Sequence, residues 1–275
     1  ANTEFKFDKL VLNAGLRYDY FKFDYYDKLS PTYSNEAINK GILSPKLNFL
    51  YKHNDKLQLF LKSGKGFHSN DTRVNVANGG RKTLPASYGS DLGFVWKPTS
   101  KLIFNSAVWY LFLEQEFVYV GDAGIVEPSG KTARRGIDLG LRYQFTDWLF
   151  LNADYTYTNA KSTEEPSGND YIPLAPKSTF MGSLSVIKNH FSGSFKSRYL
   201  GDRPANEDYS LTAKGYFVSD LNLNYTFKNF TAGILIENIF NTKWNETQFE
   251  TESQLQGETS PVTEIHFTPG TPFNF

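Results

Sequence analysis

Apolar and polar residues alternate with a period of two along almost the whole chain. In the stretch 221–227, Leu, Leu, Tyr and Phe alternate with Asn, Asn and Thr, and the alternation resumes at Phe230 after the pair Lys228-Asn229. Successive side chains of a β-strand point to opposite faces, so this period predicts strands with one apolar and one polar face. Two such runs joined by two residues predict a β-hairpin. The recurrence of the pattern predicts an all-β protein.

The lengths of the segments and of their connections narrow the class further. Segments of about 9–12 residues are what a tilted strand needs to cross a membrane. Short turns such as Asp8-Lys9, Asn54-Asp55 and Lys188-Asn189 alternate with long polar loops. The predicted loops are Asp27–Lys40, His68–Ser87, Gly121–Lys131, Ala160–Pro176, Gly201–Lys214 and Asn241–Thr263. Outer-membrane barrels have short periplasmic turns and long extracellular loops, whereas a soluble sandwich or propeller gives no reason for this alternation.

Composition agrees with a transmembrane antiparallel β-barrel. Aromatic residues are 16% of the chain and gather near predicted strand ends, as in the girdles at a lipid interface. Mean hydropathy is -0.45 and no run of about 18 apolar residues exists, which excludes a helical membrane protein. The 29 basic and 29 acidic residues balance, so nothing electrostatic indicates nucleic acid. With no cysteine, no paired histidines and no marked nucleophile, we predict neither a metal site, nor a cofactor, nor an enzyme.

The two ends of the chain carry further predictions. The chain starts at Ala1 inside a predicted strand, without a signal peptide or initiator methionine, which indicates a processed chain or a fragment. Thirteen strands are predicted, and because single-chain bacterial barrels have an even number, the simplest interpretation is that the start of the barrel is missing.

The last eight residues resemble the C-terminal assembly signal of bacterial outer-membrane barrels. Thr268, Gly270, Phe273 and Phe275 fill its places. Two prolines, at 269 and 272, depart from it because proline cannot donate to a strand ladder. With the C-terminus periplasmic, every predicted long loop would lie outside the cell.

Four stretches together resemble the TonB-dependent outer-membrane receptors. They are Leu43–Asn48 with Gly64–His68, then Arg134–Leu139, then Ile172–Pro176, and finally Glu237–Asn241 with the terminal Phe275. The resemblance covers nearly all of 1–275, which is predicted to be the C-terminal part of that family's barrel domain, without the N-terminal strands and the plug. It implies a 22-stranded plugged barrel in the outer membrane of a Gram-negative bacterium. It also implies import of a scarce nutrient, often a ferric siderophore, with energy passed by the TonB complex.

Candidate ligand-binding residues stand at predicted strand ends. His68, Asp71 and Arg73 belong to one loop and would contact a ligand or the plug, or else form a solvated loop whose polar side chains cap turns. Arg134 and Arg135 favour an anionic ligand because arginine binds carboxylate or phosphate bidentately, although contact with lipopolysaccharide or solvent at the rim is the alternative. We expect the apolar face of the strands to contact outer-membrane lipid.

Two other functions fit the same pattern. One is a passive porin or channel of 12–14 strands that needs no plug and no energy supply. The other is an adhesive or structural barrel whose long loops bind a partner. Dependence of uptake on the energy supply separates these hypotheses from active transport.

Overall fold

The computed structural model describes residues 1–28, 34–69, 83–120 and 125–275, and its regular elements there are all β-strands. No helix of this part has the length and apolarity that crossing a membrane requires. The strands are β1 Asn2–Phe7, β2 Leu10–Asp27, β3 Ser34–Asn54, β4 Leu57–Phe67, β5 Ala86–Thr99, β6 Leu102–Leu113, β7 Glu116–Val120, β8 Ile125–Ser129, β9 Thr132–Thr146, β10 Leu149–Ser162, β11 Ser178–Lys188, β12 Phe191–Leu200, β13 Arg203–Pro204, β14 Thr212–Ala213, β15 Tyr216–Phe227, β16 Phe230–Ile236, β17 Asn245–Ser253 and β18 Val262–Pro269.

Twelve of these strands form one antiparallel sheet in which each strand pairs with the preceding and the following strand of that sheet. Its order is β1-β2-β3-β4-β5-β6-β9-β10-β11-β12-β15-β16. The pairs β7–β8, β13–β14 and β17–β18 are separate two-stranded sheets. They follow β6, β12 and β16, and therefore all stand at the end of the sheet that carries the long connections. We call this the long-connection end. The architecture is the predicted antiparallel β-barrel type.

Cross-strand registers show how the period-two sequence becomes two chemically different faces. Arg142, Asn152, Ser183, Lys196 and Asp220 are successive partners across β9, β10, β11, β12 and β15. This row defines what we call the polar face. One residue along, the row Leu151, Leu184, Phe195, Leu221 and Ile236 belongs to the opposite, apolar face. A slip by one residue would exchange the two faces, so alternation fixes the register.

Large apolar side chains stay exposed along the middle of the apolar face. Leu92 is 57% exposed and Val108 is 50% exposed, although both are central in their strands. Ala213, Val218 and Ser219, in contrast, are essentially inaccessible, and all three lie towards the long-connection end. An exposed apolar wall of this extent is what a sheet facing lipid requires.

Several strands extend further than the alternation of the sequence predicts. Most of the predicted loop Asp27–Lys40 belongs to a strand, because β3 begins at Ser34 and pairs with the end of β2. Similarly, the predicted loop Asn241–Thr263 contains β17 and the first residues of β18. The start of β3 and most of β17 are polar sequences held by backbone pairing, so no apolar stripe marks them. The predicted loops at Gly121–Lys131 and Gly201–Lys214 likewise contain short strands.

The end of the chain differs from its prediction. The main sheet has twelve strands rather than thirteen, because the last residues add only an isolated bridge between Glu237 and Asn274. Glu237 follows β16 at the long-connection end, so Asn274 lies at that end too. The bridge thus brings Asn274 beside the end of β16, and the periplasmic position of the C-terminus stays a prediction. The prolines at 269 and 272 provide no N–H for a longer ladder.

Candidate functional site

The predicted ligand-binding residues occupy different surroundings at the long-connection end. His68 follows β4, is partly buried, and its backbone N–H donates to the carbonyl of Pro85 at 3.4 Å. Asp71 and Arg73 lie outside the described residues. The grouping of His68, Asp71 and Arg73 therefore stays a prediction, because two of the three lie outside the described residues.

Arg134 and Arg135 lie on opposite faces of β9. Arg134 belongs to the polar face and forms an ion pair with Glu116, whose side chain is only 13% exposed. Arg135 belongs to the apolar face, where it is exposed between its register partners Tyr110 and Asn159. The guanidinium of Arg134 is thus already neutralised by the protein, and a single ligand cannot contact both arginines from inside the barrel.

A cluster that sequence analysis did not single out lies on the polar face near the same end. The guanidinium carbon of Arg198 is 5.2 Å above the ring of Trp244, and the Trp244 and Tyr216 rings have centroids 4.7 Å apart. Arg198 and Lys196 form no ion pair within the described part of the chain, although Lys196 faces Asp220 across the ladder. Cation–aromatic stacking orients Arg198 without neutralising it. These residues therefore offer positive charge beside aromatic surface.

Arg203 adds a buried cation close to this cluster. Arg203 belongs to β13 and is 5% exposed, and its Nη1 has no hydrogen-bond partner among the described residues. Burial lowers the pKa of Arg203, and the nearby Tyr216 and Asp202 partly oppose that shift. The Asp202 carboxylate itself accepts from the Gly215 N–H and pairs with Lys214, and both contacts lower its pKa.

Amide side chains fasten the connections above the cluster to one another. Gln248 of β17 accepts from the Lys214 N–H at 2.9 Å and donates to the Lys214 carbonyl at 2.7 Å. Asn206 donates to Ser210 and to Glu250. Because both amides are almost fully buried, the connection after β12 and the hairpin β17–β18 form one packed cover. The only sign of this packed cover in the sequence is the high content of polar residues in the predicted loops Gly201–Lys214 and Asn241–Thr263.

The predicted assembly-signal residues are distributed over two structural settings. Thr268 pairs with Thr247 in the small β17–β18 sheet, and Gly270 lies against Trp244 so closely that a side chain there would collide with the indole. Phe273 and Phe275 lie beyond it, with Phe275 87% exposed. Their role in membrane assembly remains a prediction.

The polar face also contains charges that pair internally. Arg142 donates to both carboxylate oxygens of Asp154, at 2.9 and 2.8 Å, and Thr156 donates to Asp138 at 2.8 Å. The described residues contain no group of three or more His, Cys, Asp or Glu side chains suited to a metal ion. Arg198, which lies over Trp244 and forms no ion pair with another described residue, therefore differs from the internally paired Arg142 on the same face.

Comparison with known proteins agrees with this architecture. The family model described as "TonB dependent receptor-like, beta-barrel" matches residues 1–239. A protein of Haemophilus influenzae named as an uncharacterized TonB-dependent receptor is 28% identical over 212 residues, covering 73% of this chain and 56% of that protein. The chain thus spans little more than half the length of this curated relative.

Solved structures show the same fold. The siderophore receptor PiuA from Acinetobacter baumannii aligns with a TM-score of 0.73 and 15% identity, over 96% of this chain and 40% of PiuA. The ferric yersiniabactin uptake receptor FyuA from Yersinia pestis aligns with a TM-score of 0.71 and 13% identity, over 94% of this chain and 42% of FyuA. At such identities the likeness concerns the fold alone, whereas the match to the family model covers most of the sequence. The chain therefore belongs to the TonB-dependent receptor β-barrels, a family of outer-membrane proteins.

Proposed function

We propose that the whole protein is an outer-membrane receptor that imports an anionic metal chelate, such as a ferric siderophore, with energy supplied through TonB. Family membership supports receptor and transport function, and the two structural neighbours are named as siderophore and ferric yersiniabactin receptors. The family consists of receptors and transporters, and we propose no catalytic role for this chain. The further proposed partners are a plug domain of the same protein, the TonB complex, and outer-membrane lipid with lipopolysaccharide.

The observation that carries the choice of an anionic ligand is the Arg198 cluster. Arg198 and Lys196 present positive charge on the polar face and form no ion pair with another described residue, and Trp244 and Tyr216 provide aromatic surface beside Arg198. A guanidinium binds carboxylate or phenolate oxygens through a fork of donors, and aromatic rings contact the planar parts of a chelator. We propose that the long-connection end faces outside and that the ligand enters there.

The test uses the intact protein in its outer membrane and compares two arginines of the polar face. Arg198→Gln removes a charge that has no ion-pair partner in the described part of the chain, whereas the control Arg142→Gln removes a charge that Asp154 already neutralises. Charge-assisted hydrogen bonds contribute about 1.5–3 kcal/mol, so Arg198→Gln should weaken ligand binding roughly 10- to 100-fold. The control should change binding little, and high salt should reduce the difference because it screens exposed charges.

Uptake measurements separate the active receptor from its alternatives. Uptake of the labelled chelate should stop when TonB is absent or the inner membrane is de-energised, while binding at the surface persists. Uptake that continues without TonB would favour the passive porin of 12–14 strands. Binding without any uptake would favour the adhesive barrel. Equal affinities of the Arg198→Gln and Arg142→Gln proteins would remove the Arg198 cluster from the ligand site.

The candidates from sequence enter the proposal with different weights. His68, Asp71 and Arg73 remain proposed contacts of the outer loops. Replacing Arg134 would leave Glu116 as an unpaired, largely buried carboxylate, so its variant would report on folding as well as on ligand binding. Arg135 faces away from the polar face and is not proposed as a contact of the imported ligand.

A further inference from the structure

Two glycines of the polar face stand side by side where the packing of the chain does not require glycine. Gly64 and Gly89 are register partners on β4 and β5, in a ladder that runs without a register shift. Neither has a positive φ. A Cβ at Gly64 would come no closer than 3.4 Å to atoms beyond its chain neighbours, and a Cβ at Gly89 no closer than 3.8 Å. A glycine inside a strand then marks a place where a ligand or another backbone approaches closely.

Other strand glycines of the polar face are explained by their neighbours. A Cβ at Gly136 would collide with the indole of Trp109, and a Cβ at Gly140 would collide with the amide of Asn105. In both places a side chain of the paired strand lies flat over the glycine. No such side chain covers the facing pair on β4 and β5, so that part of the wall stays open toward the barrel interior.

Small residues extend this open part of the wall over four strands. The row that contains the glycine pair continues through Lys46 of β3 to Gly15 of β2. Two residues nearer the long-connection end, the same face presents two further pairs of register partners. We call the whole set the inner shelf; its members are Gly15, Lys46, Gly64, Gly89, Arg17, Ser44, Gly66 and Ser87. Apart from the two cations, all of them are glycine or serine.

A buried hydroxyl group of the inner shelf has no partner. Ser44 is 8% exposed, and its Oγ is buried without a hydrogen-bond partner among the described residues. Ser44 also lines an open hollow of about 690 Å³ that reaches the start of β1, together with Gly15, Arg17, Lys46 and Gly66. Because burying a hydroxyl without a partner costs free energy, this one indicates a partner that another molecule or segment supplies.

The charge of the inner shelf is positive. Lys46 is exposed and forms no ion pair with another described residue. Arg17 pairs with Asp19 at 2.6 Å, but its side chain is still 66% exposed, and its guanidinium carbon lies 5.5 Å from the centre of the Phe67 ring. The Arg198 cluster has the same arrangement of a guanidinium over an aromatic ring. The inner shelf therefore offers a similar chemistry at a second position of the polar face.

The two positions are too far apart for one small ligand to contact both. In the order of the main sheet, β4 and β12 are six strand steps apart. At the usual spacing of neighbouring strands, this corresponds to about 29 Å along the wall. The inner shelf is therefore a site of its own.

We propose that the inner shelf is a second binding site for the imported ligand inside the barrel. The inference rests on the proposed function for the class of ligand, an anionic chelate. The Ser44 hydroxyl and the Lys46 ammonium donate to one of its ionised oxygens, and charge-assisted hydrogen bonds of this kind are the strong ones. The flat wall at Gly64 and Gly89 receives the planar part of the chelate in van der Waals contact.

The test titrates anionic chelates into the intact purified receptor by isothermal calorimetry. The probes are the iron(III) complexes of citrate and of 2,3-dihydroxybenzoate, which present carboxylate and phenolate oxygens. The starting protein is the Arg198→Gln receptor, whose remaining binding reports on the inner shelf. Adding Lys46→Gln or Ser44→Ala should weaken this binding roughly 10- to 100-fold, the loss expected for a hydrogen bond to a charged group. Adding Lys62→Gln should change it little, since Lys62 faces Asp91 across the ladder.

Added bulk tests the flat wall independently of charge. Gly64→Val with Gly89→Val has room for both Cβ atoms, so the protein should insert normally and lose the remaining binding. The matched control is Ser63→Val with Ser90→Val, the adjacent pair of register partners, which belongs to the apolar face. This control adds bulk to the same two strands and should retain the binding. Outer-membrane levels of both double variants verify that they fold.

Other results would overturn the second site. One is the absence of saturable probe binding to the Arg198→Gln receptor, and another is binding that Lys46→Gln and Ser44→Ala leave unchanged. Lower thermal stability of these variants with unchanged probe binding would assign the shelf to packing with another part of the protein instead. TonB-dependent uptake is measured separately in the native receptor. Uptake without TonB would refute the proposed function, whereas Lys46-dependent binding would leave the second site standing.

Discussion

Replacing Leu139 by arginine tests the assignment of the two faces and of the depth of β9 in the membrane. β9 has 15 residues, from Thr132 to Thr146, and Leu139 is its midpoint. At about 3.4 Å per residue and a tilt of about 40°, the strand rises roughly 36 Å and spans an apolar band about 25 Å tall. Leu139 then lies near the bilayer midplane, where arginine on the lipid face costs about 2–4 kcal/mol.

The same geometry predicts how the cost falls along the strand. The native Arg135 lies four residues from Leu139, which corresponds to about 10 Å, close to the edge of the band. Ala133 lies six residues away and beyond that edge, so the matched variant Ala133→Arg should cost only about 0–1 kcal/mol. On the polar face, Asp138→Asn keeps an acceptor for the Thr156 hydroxyl and should cost less than about 1 kcal/mol.

The assay is reversible unfolding of the intact barrel in lipid bilayers by denaturant, with tryptophan fluorescence as the signal. The free energy of unfolding should stay near the native value for Asp138→Asn, be slightly lower for Ala133→Arg and be lowest for Leu139→Arg. Similar costs for Leu139→Arg and Asp138→Asn would mean that the face assignment is wrong. Similar costs for Leu139→Arg and Ala133→Arg would mean that the band is centred elsewhere on the strand.

Three further predictions concern the long-connection end. Asn238 is 1% exposed and its amide donates to the carbonyls of Thr242 and Thr271, so Asn238→Ala should cost about 2–4 kcal/mol of unfolding free energy, against less than about 1 kcal/mol for the less buried Asn224→Ala. Burial, followed by nearby like charges, raises the pKa of Glu250, so its protonated form favours the folded hairpin. Protection of β17 in hydrogen exchange should therefore be greatest below the ordinary carboxyl pKa and decline as pH rises through the raised pKa. Glu250→Gln should abolish this decline. Removing Phe275 should lower the outer-membrane level of the full protein with little change in the stability of the inserted barrel, because that side chain is 87% exposed; normal levels would contradict an assembly role.

Alternation of apolar and polar residues predicts the faces of the main-sheet strands directly. The faces of β9 and β10 follow directly from the period of two, because a register slip would expose Arg142 to the apolar side and bury Leu141 on the polar side. Alternation does not predict β17 and β18, because these threonine- and glutamate-rich strands are held by backbone pairing and by the amide of Gln248. Backbone hydrogen bonds are available to any sequence, so such pairing leaves no compositional mark.

The candidate site divides in the same way. Sequence alone determined that Lys196, Arg198 and Asp220 share a face, because alternation assigns faces within each strand. Only the tertiary structure decided that Arg134 is neutralised by Glu116 while Arg198 rests on Trp244, since these partners come from different strands and connections. It also decided that the last residues meet Glu237 at the long-connection end. Alternation specifies which way a side chain points, whereas its partners depend on the registers and connections that bring distant segments together.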